Sequence, residues 1–103
     1  MSQGKPEFGY GEGRRPLWTA CDRDAEAVRK ALRKAGRREF GQGHGGFVVE
    51  GGGEGVPFLL ACANDAEISV QELVQYEAVL IKAGYRIEPD PGDDQALQVW
   101  LPS

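Results

Sequence analysis

Histidine occurs once in this chain, methionine once and cysteine twice, and these scarcities remove several kinds of chemistry. One histidine, His44, with two distant cysteines cannot supply the usual ligand set of a zinc site. Cys21 and Cys62 belong to no CxxC pair, so each reads as a small core residue. No serine or cysteine stands in a recognisable nucleophile motif. No Rossmann or Walker-type glycine loop follows a strand and opens a helix. The expectation is a protein without catalysis, cofactor or metal. A leader, a lipidation signal and a membrane-length apolar run are also missing, which predicts a cytoplasmic, reduced protein that does not contact membranes.

Cations are short in the second part of the chain. Residues 1–45 hold ten Lys and Arg against six Asp and Glu, whereas residues 46–103 hold two against ten. The halves therefore carry about +4 and −8. Such asymmetry suits a dipolar surface that pairs with a partner or with a second copy, or a local basic patch, unless folding brings the halves together and neutralises them.

What is abundant is glycine, 15 of 103 residues, together with alanine and with arginine in preference to lysine, the composition of a GC-rich bacterial genome. The length suits one domain with one core. Residues 1–18, rich in glycine and charge with few apolar anchors, predict a flexible N-terminal arm, and residues 19–103 the domain. Trp18 is expected to plug one end of the core.

Two helices are legible. Over Asp22 to Gly36, Cys21, Ala25, Val28, Leu32 and Ala35 line one face and Asp22, Glu26, Arg29, Lys30 and Arg33 the other, with Thr19 or Asp22 to cap the start. Over Ser69 to Gly84, Ser69 and Glu72 form a capping-box pattern and Gly84 supplies a left-handed stop. Its wheel gathers Val70, Leu73, Val74, Leu80 and Ile81, with Glu77 in their midst. A carboxylate there needs a partner such as Arg86 or Tyr85, a groove, or a pocket that raises its pKa.

Strand patterns follow at Arg37–Phe40, Phe47–Glu50, Val56–Ala63, Tyr85–Glu88 and Leu97–Leu101. Phe58 to Ala63 is apolar on both sides of the pleat, as in a strand covered on both faces or one whose outer face an arm or a partner covers. Trp100 falls opposite Leu97, Val99 and Leu101. The class is α+β, in the order α-β-β-β-α-β-β, with an antiparallel sheet of about five strands and both helices on one face.

Leu32-Arg33-Lys34-Ala35-Gly36-Arg37-Arg38 agrees with Leu80-Ile81-Lys82-Ala83-Gly84-Tyr85-Arg86 at five positions, 48 residues apart. A duplicated α-β-β unit would produce this, and so would the shared chemistry of helix ends, which is the simpler account.

Two functional readings follow. The first is a non-enzymatic interaction or regulatory module that binds a protein partner or itself, with Trp18, Trp100 and the Phe58 strand as surplus apolar surface. The second is nucleic-acid binding: Arg29, Lys30, Arg33, Lys34, Arg37 and Arg38 gather on the outer face and end of one helix, with His44 in the next turn. The order α-β-β-β-α over Asp22 to Gly84 resembles that of the double-stranded RNA-binding domain family, and Gly43-His44 before Phe47-Val48-Val49 is similar to its histidine-bearing turn and following strand. The resemblance implies backbone contacts to duplex RNA. Where that family opens its last helix with a lysine cluster, this chain has Ser69-Val70-Gln71-Glu72.

Overall fold

A computed structural model describes residues 4–41, 43–53 and 55–102. The elements are α1 (Ala20–Lys34), β1 (Gly46–Gly53), β2 (Val56–Ala63), α2 (Ala66–Lys82), β3 (Arg86–Pro89) and β4 (Ala96–Trp100). The class is the expected α+β, with four strands in place of five. All pairings are antiparallel and the sheet order is β1-β2-β4-β3.

Alternation along the strands decides which side chains meet the helices. Phe47 and Val49 of β1, Phe58, Leu60 and Cys62 of β2, and Leu97 and Val99 of β4 share one face and build the core with Ala25, Val28 and Leu32 of α1 and Leu73, Tyr76 and Leu80 of α2. Phe47 and Tyr76 meet edge to face, with ring centroids 6.0 Å apart. The opposite face carries Val48, Glu50, Leu59, Ala61, Gln98 and Trp100. The side chains of Val48, Leu59, Ala61 and Trp100 there are half-buried.

Arg37–Phe40 is not a strand. It touches β1 through one parallel bridge, Glu39 with Phe47, where the Phe47 amide donates to the Arg38 carbonyl and the Phe40 amide to the Phe47 carbonyl. This close approach needs Gly46, since a Cβ there would strike the backbone of Arg38, Glu39 and Phe40. With two strands between the helices, the element order that resembles the RNA-binding domain is not realised.

Both helices start earlier than the sequence pattern suggests. In α1 Thr19 and Asp22 cap each other's backbone amides at 3.0 and 3.2 Å. In α2 the cap is Asp65, which accepts from the Ile68 amide at 3.1 Å, so Ser69 lies inside the helix. Fully buried, the Ser69 hydroxyl reaches the carbonyls of Cys62 and Asn64, both at 3.1 Å. The buried line of α2 is therefore Ser69, Leu73, Tyr76 and Leu80. Val70, Val74 and Ile81, expected in the core, are 55%, 60% and 55% exposed.

Residues 8–17 form a loop with hairpin-like bonding, in which the Phe8 amide donates to Leu17 O and the Leu17 amide to Gly9 O. Leu17 is its buried anchor, and Trp18, expected to plug the core, is 48% exposed.

Candidate functional site

Four surfaces hold the residues that the sequence nominated. The first is the outer flank of α1. Glu26 is almost fully buried there, because the loop lies over it. Its carboxylate accepts from the Glu12 amide at 3.2 Å and from Arg15, Arg29 and Arg33 at 3.0, 3.1 and 2.5 Å. Arg15 continues to Glu39 at 2.8 Å, and Arg33 reaches the same carboxylate at 3.4 Å. Burial works against the charged form of Glu26. The hydrogen bonds from Arg33 and Glu12, with the charges of Arg33 and Arg29, outweigh it and hold the pKa below the ordinary value.

Two of the expected phosphate contacts, Arg29 and Arg33, are thus bound internally. Arg37 pairs with Glu72 of α2 at 2.9 Å. Lys30, Lys34, Arg14 and Arg38 remain exposed and form no ion pair among the described residues. Lys30, Lys34 and Arg14 line an open cleft of about 880 Å³ with Tyr10 and Arg33. Arg14 reaches it from a left-handed backbone, φ 62°.

His44 stands apart, half-buried, with Nδ1 3.2 Å from the Gly45 carbonyl oxygen. Trp100 lies on the sheet face away from the helices. The Arg86 guanidinium stacks over its ring at 4.5 Å, and its buried indole nitrogen has no hydrogen-bond partner among the described residues. The nominated residues therefore make no single site.

The fourth surface is the outer flank of α2. Glu77 lies there, half-buried, in a groove of about 170 Å³ lined by Val70, Leu73, Val74, Asp94 and Leu97. Neither Arg86 nor Tyr85 lines this groove. Of the three environments envisaged for Glu77, the groove is the one observed. Val70, Val74, Glu77 and Ile81 advance by three and four residues and so share one line of the helix.

No protein-family model matches the chain, and it matches no curated protein and no solved structure. The functional reading therefore rests on these surfaces alone. Among the described residues no cluster of three His, Cys, Asp or Glu could hold a metal, and no helix is long and apolar enough to cross a membrane.

The sequence reading missed the five-residue charge network, because Arg15 and Glu39 lie in segments taken as arm and strand. Its signal was the spacing of Glu26 with Arg29 and Arg33 on one helix line.

Proposed function

We propose that the protein is a non-enzymatic interaction module, cytoplasmic in keeping with its two free cysteines, that docks a second polypeptide on the outer flank of α2. The observation that carries this reading is the aliphatic line Val70, Val74 and Ile81, each more than half exposed on a helix whose other apolar line already faces the core. An apolar row standing in water on an ordered helix fits a helix face that another chain covers. The half-buried apolar side chains of the open sheet face add surface of the same kind.

A photo-crosslinking residue placed at position 74 tests it. The expected result is a discrete protein adduct at position 74 and none from the same residue at position 30, on the α1 surface. Equal labelling at both positions, or none at either, would overturn the reading.

A second reading, nucleic-acid binding, is favoured by the unpaired cations Arg14, Lys30 and Lys34 around one cleft. It requires salt-sensitive binding to duplex RNA or DNA that Lys30→Glu with Lys34→Glu weakens. No mobility shift at low salt removes it.

A further inference from the structure

The 48-residue match extends well beyond the helix ends. The same offset carries the buried Ala25, Val28 and Leu32 of α1 onto the buried Leu73, Tyr76 and Leu80 of α2. Gly36 and Gly84 both close their helices at positive φ, 85° and 98°, and the next amide returns to the buried leucine in each case, Arg37 to Leu32 and Tyr85 to Leu80, both at 2.9 Å. Each helix is followed by an antiparallel hairpin. The second strands of the hairpins, β2 and β4, pair antiparallel at the centre of the sheet. This is the order that a two-fold axis normal to the sheet produces.

Such an axis also exchanges contacts between the halves. Arg37 pairs with Glu72, and the offset turns that pair into Tyr85 with Asp24. Burial, and then the charge of Asp24, raise the Tyr85 pKa. Helix-end chemistry alone does not explain the shared core positions.

The axis makes the two outer flanks equivalent. Asp22, Glu26, Arg29 and Arg33 of α1 correspond to Val70, Val74, Glu77 and Ile81 of α2. The first flank is covered by the chain itself, because the loop over residues 10–17 lays Arg15 on the Glu26 carboxylate. On the second flank a single carboxylate, Glu77, stands among exposed aliphatic side chains, with Asp94 beside it and no cation lining the groove.

We propose that the α2 flank receives, from another protein, a segment bearing an aliphatic row and a lysine or arginine that meets Glu77, the one carboxylate on this line of the helix, in a groove that no cation lines. This rests on the interaction-module reading and adds the chemistry of the partner. A second copy is a poorer occupant. Two α2 flanks packed antiparallel about the midpoint of Val70–Ile81 would bring Glu77 of both copies near the axis, like charge against like.

The experiment is calorimetric titration of the full chain with synthetic amphipathic helices of about 18 residues in ~150 mM salt, where exposed charge contacts are screened. The probes are a leucine–lysine helix, a scrambled peptide of the same composition, and a leucine–glutamate helix. The leucine–lysine helix is expected to bind with Kd on the order of 10 μM, and the other two at least about tenfold more weakly. Val74→Asp, or independently Ile81→Gln, weakens binding about tenfold, and Glu77→Lys shifts preference toward the leucine–glutamate helix, while Lys30→Glu on the α1 surface changes nothing.

Because positions 74 and 81 are solvent-facing, these variants should keep the wild-type circular dichroism and melting curve. Glu77→Gln supplies a milder second variant with the charge alone removed. Equal binding of the scrambled peptide, or binding indifferent to Val74→Asp, overturns the proposal. So does sedimentation showing a dimer that Val74→Asp dissociates, since the flank then belongs to a second copy. If crosslinking at position 74 yields its adduct while Glu77→Lys leaves peptide preference unchanged, the module reading stands and the cationic partner fails.

Discussion

Glu26 is the residue on which the N-terminal loop depends. Three arginines and one backbone amide converge on its carboxylate, so removing it leaves three cations facing one another across the space it filled. Glu26→Ala should cost about 1–3 kcal/mol, from the unpaired hydrogen-bonding groups left behind, read in thermal unfolding. Because folding lowers the pKa of Glu26, its contribution is complete above the ordinary value of 4.5 and is lost as pH falls through the lower folded value. The melting temperature of the wild type should therefore drop as pH falls below about 4.5 more steeply than that of Glu26→Gln. Parallel pH profiles for the two proteins would exclude this role. The sequence showed the acid and its helical neighbours. It could not show Arg15, which is brought in by a loop whose glycines read as disorder.

At the level of elements, α2 shows why a legible helix can still be placed in the wrong register. Ser69 with Glu72 and Asp65 with its i+3 amide are rival start signals, and local chemistry does not choose between them. Tertiary packing chooses. Starting at Ala66 places Ser69 under the helix, where two carbonyls at the end of β2 accept its hydroxyl, and turns Tyr76 inward. The wheel read from aliphatic residues alone centred on Glu77 because it left out tyrosine, which here buries its ring against Phe47 and donates its hydroxyl to the Cys62 sulfur at 3.5 Å. Ser69→Ala should cost about 1 kcal/mol and Leu80→Ala about 2–5 kcal/mol in chemical unfolding. A neutral Ser69→Ala would mean that the hydroxyl plays no part in choosing the register. The missing fifth strand has an equally local cause. Gly46 lets residues 38–40 pass against the edge of β1 at one bridge without joining the ladder, and Gly46→Ala should destabilise by about 1–3 kcal/mol through backbone displacement.

For the whole molecule, the class, the helix count and four of the strand positions were legible because periodicity and glycine turns are local signals. The two-fold relation was visible only as five matching residues, too few to separate descent from helix-end chemistry without the shared core positions, and the strand order was not visible at all. Both units share one interior across the β2–β4 pairing, and neither is long enough to bury a core alone. Fragments 1–64 and 65–103 should each lack cooperative unfolding in circular dichroism and should regain it when mixed. A cooperative transition in either fragment alone would contradict a shared core. The excess of cations in one half and of acids in the other is neutralised only in part, through Arg37 with Glu72, and the second half keeps its exposed carboxylates.

The seam between β2 and β4 leaves the coat of each half free of the other. Three interior positions per helix and one glycine stop hold the architecture, so the exterior of one half can become a buttress for its own leader while the exterior of its twin stays open to a stranger. In that sense the chain contains its own reference: any property assigned to the bare flank can be checked against the position 48 residues earlier, in the same fold and the same solution.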